Sequence, residues 1–459
     1  MTLSFLRGVV IACGFAAAAC AGHARPSLAL YETGDYAGAA RVADRELAAH
    51  PDDEGLWQMR VRSALALGDA SGVAKAYASY RARLGGDDDK GLLRELAIAT
   101  LHQALTSPSV KLEIAAIDAV AASELQELAE QVAQKMSDDD DRVVAAAAVA
   151  VLRGYGDAPR AAGEMMKSED PEARRIAVDG VGKKVGRLAL ADLEQAGADP
   201  DARVRRAALR WLGELKDRGA VELLTERMHD PDETVRAAAA TALARIGLGN
   251  LAELGQLALR DPALAVRLAG ITLIVAAHRP DQLAVLVDDP DPIVAAEAAI
   301  AHGGGAGPAI ERAATAPSWT VRAGAANLAV RGLGTPGALV LARRLVADPA
   351  VAVKLAAARV LAHGGDHAAA ALVFAAALED LDHRVQAAVD LADQDDPRGM
   401  QALDRLVRDP AHGPLARAAA AAGHQAARHV TPGLVAALAD DSGVVRVEAA
   451  AALAGLSRP

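Results

Sequence analysis

At 459 residues the chain is long enough for two or three ordinary domains or for one array of repeats. Apolar residues make up 52% of it but aromatics only 2%. That excludes one thick core and favours many close contacts between alanine-faced helices. A formal charge of −11 argues against a nucleic-acid binder, which needs a basic face to displace counterions. The scarcity of Trp, Tyr and Phe also removes the stacking platforms that single strands and sugars favour.

The first segment, residues 1–24, reads as an export signal. Arg7 supplies a positive start, residues 8–19 form an apolar run too short to span a bilayer stably, and small residues follow. Ala17-Ala18-Ala19-Cys20 resembles a bacterial lipobox, with Ala17 where leucine is usual. The resemblance implies lipidation at Cys20, a membrane anchor, and a place in the periplasm or on the outer membrane. Ordinary cleavage after Ala21 or Ala24 is the alternative and gives a secreted protein; an unprocessed N-terminus is the third reading. Cys13 and Cys20 are the two cysteines of the sequence. On either export reading, helix packing alone holds the body together.

Next in order, Leu30-Tyr31-Glu32-Thr33-Gly34-Asp35-Tyr36 recurs in weakened form as Leu65-Ala66-Leu67-Gly68-Asp69-Ala70. The two glycines are 34 residues apart, and the segment 27–88 resembles tetratricopeptide (TPR) repeats. Trp57 and Tyr77 stand at the family's aromatic core positions, and Ala39 and Pro51 at its small residue and closing proline. Arg60 and Val61 replace the usual Leu-Gly pair, and Gly85 replaces the second proline. A connecting helix is expected over 89–105. The acidic runs 87–89 and 138–141 read as solvated turns able to attract a basic partner.

From residue 106 to 459 a second period takes over, with about twelve units. Asp-Pro recurs at 170–171, 199–200, 230–231, 261–262, 289–290, 348–349 and 409–410. Val-Arg follows at Val204-Arg205, Val235-Arg236, Val266-Arg267 and Val321-Arg322. An alanine-rich stretch comes after each. This pattern resembles the short HEAT repeats of phycobilin lyases. The resemblance implies structural duties for Asp199, Arg205, Asp230, Arg236, Asp261, Arg267 and Arg322: capping helices and hydrogen-bonding between neighbouring units. Local chemistry reads the same way. Asp230 suits a helix N-cap, Pro231 the first helical position, and Asp232 and Glu233 the positive helix end. Val235, Ala239, Leu243 and Ile246 then share one face, as do Ala220, Leu223, Leu224 and Met228 in the preceding helix. The expected fold is all-α: an α-α superhelical solenoid of TPR-like, then HEAT-like, helical pairs.

Candidate chemistry is sparse, and no catalytic, cofactor-binding or metal-ligating residues are expected. His302, His363 and His424 recur every 61 residues, near the ends of second helices, where two intervening units keep them about 20 Å apart at ~10 Å per helix layer. His363 and His367 lack the third ligand that zinc requires. The glycine run at 302–307 has no Gly-Lys-Ser/Thr ending and reads as a joint between units rather than a phosphate loop. Trp319 occupies a variable first-turn position, either as an exposed partner-binding side chain or packed against that joint. Leu453 and Leu456 offer an apolar face at the last helix, free to fray or dock. These features favour a non-catalytic scaffold or adaptor for protein or peptide partners, not nucleic acid. The alternatives are a lyase-like ligand-binding enzyme and a structural spacer.

Overall fold

The computed structural model describes residues 23–458, so the signal and Cys20 lie outside the described residues. Among the described residues every regular element is a helix and there is no strand, as the sequence leads one to expect. None of these helices is long and apolar enough to cross a membrane. The chain divides into two compact units. One combines the residues up to Gln131 with those from Val385 onward; the other runs from Val132 to Arg384.

In the first unit, Arg25–Glu32, Tyr36–Ala49, Glu54–Ala66 and Ala70–Arg83 form successive helical pairs. The repeated Gly-Asp sets their turns. Gly34 and Gly68 adopt left-handed φ of +83° and +69°, and Asp35 and Asp69 then cap the following helices by accepting from Gly38 and Gly72 N–H, each at 2.8 Å. A Cβ on Gly38 would lie 2.1 Å from the Asp35 carboxylate. Tyr77 is fully buried, and Trp57 packs partly against Leu56 and Met59 while its Nε1 donates to Pro51 O at 2.8 Å.

In the run 87–89 Asp87 is exposed, as a solvated turn requires, but Asp88 and Asp89 are half-buried and bonded. The Tyr77 hydroxyl donates to Asp88 at 2.7 Å and that of Tyr80 to Asp89 at 2.7 Å, and Asp89 also caps helix Lys90–Leu105 through Leu92 N–H. Burial first, then these carboxylates, push both tyrosine pKa values up. The second run behaves likewise: Asp140 caps Asp141–Ala150, and Asp141 accepts from Ser168. Both runs sit at helix starts, where orphan N–H groups recruit carboxylates.

The last helix, Gly443–Leu456, is not a free end. Besides Pro414–Ala426, the corresponding helix of the preceding repeat, it packs on Lys90–Leu105 and Val110–Ala122. Leu453 is fully buried there, and Arg458 donates to Ala122 O. A Cβ at Gly443 would fall 2.5 Å from Leu112 Cδ1. Further along this seam Arg81 Nη1 donates to Val430 O at 3.2 Å.

In the second unit, repeats are tied by a ladder of arginine–aspartate bridges. Arg174 reaches Asp199, Arg205 reaches Asp230, Arg236 reaches Asp261 and Arg322 reaches Asp348, each through two hydrogen bonds of 2.7–2.9 Å. The same guanidinium holds its own turn: Arg205 Nη1 donates to Asp199 O at 2.8 Å and Pro200 O at 3.0 Å. Arg236 depresses the Asp261 carboxyl pKa, and Arg322 that of Asp348.

Two expectations change. Asp230 does not N-cap its helix, and Pro231 is not its first residue. Its carboxylate is taken by Arg205 and by Asp232 N–H at 2.9 Å, leaving Asp232 to cap Glu233–Ile246 through Thr234 N–H at 2.8 Å. Arg267 does not bridge to a neighbour. It donates to Asp261 O and Pro262 O, but its buried Nε has no partner. The next repeat's first element, Pro280–Leu286, is a 3-10 helix in a short interval. Beyond it, Gly303, Gly304 and Gly305 all take positive φ.

We expect Asp230→Ala to cost about 3–5 kcal/mol, because it strands a buried guanidinium, and Arg267→Met to cost less than half as much; thermal melting compares them, and equal losses would refute the ladder's importance. A second expectation concerns His424, which is wholly buried: Nδ1 lies 2.8 Å from Ala420 O and Nε2 2.9 Å from Thr431 Oγ1. Burial lowers its pKa against the opposing pull of the Ala420 carbonyl and Asp404. The unfolded chain, titrating near ~6.5, takes up a proton that the folded chain refuses. Stability present above that pH therefore falls as pH drops below it. His424→Gln should flatten this slope in melts between about pH 7 and 5; an unchanged slope counts against the assignment.

A candidate partner-binding groove

The second helices of three successive repeats, Pro171–Lys184, Ala202–Glu214 and Glu233–Ile246, pack side by side in the second unit. Between them lies a groove of about 590 Å³. Its floor is small, with Ala207, Ala237, Ala238 and Ala242 leaving space that larger side chains would fill. Close approach is also built in: a Cβ on Gly213 would sit 2.7 Å from Ala242 Cα.

Arginines rise from this floor. Arg203, Arg206 and Arg210 fall on one face of Ala202–Glu214 by three- and four-residue steps, joined by Arg175 and Arg245 from the flanking helices. Five arginines thus meet two lining carboxylates, Asp179 and Glu214. Asp179 accepts from Arg175 at 2.9 Å, Arg210 at 2.6 Å and Trp211 Nε1 at 3.1 Å. The Arg210 guanidinium also lies 4.7 Å over the Trp211 ring. Glu172 grips Arg175, which holds its carboxyl below the usual range. Arg203 pairs with Asp201 at 3.1 Å, and Arg245 with Glu214. Arg206 is exposed and, among the described residues, has no ion pair or hydrogen bond.

The groove has hydrogen-bond donors in excess and apolar floor space, which suits an anionic, partly apolar ligand. Among the described residues no cluster of three or more His, Cys, Asp or Glu is placed to hold a metal ion. The residues singled out by the repeat pattern lie elsewhere. Asp199, Arg205, Asp230, Arg236, Asp261 and Arg322 work in the ladder. Trp319 is 51% exposed as the first residue of its helix and does not line the groove. His302 and His363 are exposed at helix ends, each bound to a backbone carbonyl. The sequence carried one sign of the groove, the arginines at 203, 206 and 210, hidden because Arg205 beside them belongs to the repeat pattern.

Comparison with known proteins adds to the fold. Residues 159–244 and 190–274 match the family of HEAT repeats, so HEAT repeats line the groove. No curated protein matches the sequence. Among solved structures, YibA of E. coli is similar at 16% identity and a TM-score of 0.40, over 53% of this chain and 96% of that one. The CpcE–CpcF complex of phycocyanin lyase from Nostoc sp. PCC7120 is similar at 22% identity and a TM-score of 0.30, over 54% and 94%. A Kap121p mutant is similar at 13% identity and a TM-score of 0.38, over 84% and 48%.

Proposed function

We propose that this protein is a non-catalytic interaction scaffold, exported and lipid-anchored through Cys20, that holds partner proteins or peptides on its helical repeats. The groove of the second unit carries the reading. It is open, and it offers binding groups without a focus of acid, base and nucleophile that a reaction would need. Export rests on the signal-like residues 1–24, and the anchor on the lipobox resemblance of Ala17-Ala18-Ala19-Cys20. Repeat proteins of this architecture present extended binding surfaces because each unit contacts only its neighbours, leaving one helix row available.

Crosslinking in native membranes, followed by affinity capture and mass analysis of the mature N-terminus, tests both parts. The expected result is a lipid-modified Cys20 and a reproducible partner crosslinked within residues 171–246. An unprocessed Met1 would sink the export reading. A failure to crosslink any reproducible partner would sink the scaffold.

A further inference from the structure

We infer that the groove receives an extended acidic segment of a partner protein, with carboxylates meeting the arginines and short apolar side chains resting on the alanine floor. The inference rests on the scaffold reading and names the ligand class of its groove. Charge is the first argument. The chain carries a formal −11, yet here five arginines meet four carboxylates, Glu172, Asp179, Asp201 and Glu214, which leaves Arg206 uncompensated. Such a local reversal of sign draws in an anionic segment and repels most of the protein's own surface.

Vacancy is the second argument. Asp179 is already committed to three donors and Glu214 pairs with Arg245, and neither pairs with Arg206. Arg206 therefore presents its whole guanidinium fork, the geometry that takes a carboxylate through two hydrogen bonds. Arg203, with its side chain 54% exposed, is held by a surface pair to Asp201; exposed pairs are worth little and exchange readily.

Dimensions give the third. Three helix layers ~10 Å apart span about 20 Å, which about six residues of extended chain at ~3.3 Å each cover. Acidic residues alternating with apolar ones then place carboxylates along the rim and side chains on Ala237, Ala238 and Ala242. A nucleic acid fits worse: the Trp211 ring that a base would stack on is covered by Arg210.

The test is fluorescence anisotropy with the full chain and a labelled peptide of about ten residues alternating Glu with Leu. The probes compared with it are its Gln counterpart, its Lys counterpart and a single-stranded oligonucleotide. The Glu peptide should bind at least about tenfold more tightly than the Gln peptide, and more weakly as salt rises. Arg206→Glu should weaken it about tenfold, and Arg206→Lys by about threefold or less. Arg45→Glu, at an exposed arginine in the other unit, makes the same charge change and should leave binding within about twofold. Arg206 has no partner to lose, so an unchanged melting temperature verifies folding of the variant. Equal binding of Glu and Gln peptides, equal effects of Arg206→Glu and Arg45→Glu, or tighter binding of the oligonucleotide would each overturn the inference. Native partners crosslinked outside 171–246 would overturn it too while leaving the scaffold standing; no partner at all would fell the scaffold itself.

Discussion

The bridge from the arginine of one repeat to the aspartate of the next is the constraint on which the second unit's order depends. Alanine-rich helices approach closely but bury little area per residue, and apolar contact between such smooth faces fixes register weakly. The bridge supplies register. Arg205 binds both oxygens of Asp230 and two carbonyls of its own turn, while Asp230 also takes the N–H of Asp232. One guanidinium thus fixes the turn before its own helix and the turn before the next. The Asp230 side chain is 1% exposed and that of Arg205 10%, so the geometry is enforced by what a mispaired buried charge would cost.

Because stacking is fixed at the turns, the rest of each second helix is released from that duty. Helix Ala202–Glu214 shows the division. Arg205 points into the ladder, Val204, Ala208 and Leu212 face the core, and Arg203, Arg206 and Arg210 face the groove. Successive steps of one helix serve three ends, and the outward set varies between repeats without disturbing the stack: Ala237 and Thr241 stand one repeat on from Arg206 and Arg210. Local chemistry can therefore be placed on one stretch of an otherwise regular array.

This division explains what the sequence made legible. The helical class, the Gly-Asp turns and the recurring Asp and Arg were readable because they repeat, and repetition reveals whatever every unit needs. The capping assignment slipped by two residues at Asp230, since two carboxylates in Asp-Pro-Asp compete for one role and only the distant Arg205 decides between them. The roles of Asp88 and Asp89 were hidden because their partners, Tyr77 and Tyr80, lie a turn and a loop away. The last helix reads as a free end because part of its cover comes from helices more than 300 residues earlier. The groove was least visible of all: what distinguishes it belongs to one stretch of the array and repeats nowhere.

The interruption of the ladder shows the same principle from the other side. Arg267 finds no aspartate, and Ala295 stands where the next repeat's arginine would be. The buried set in that stretch is of the same kind as before. Leucine, valine and alanine share the core around Ala208, Ala239 and Leu243, and Leu259, Ile271, Ile274, Leu283, Val294 and Ala298 form the cluster beyond. Each large side chain removes more apolar area from water than an alanine does, at roughly 25 cal/mol per Å². Where the polar bridge is missing, apolar packing alone therefore holds neighbouring repeats together.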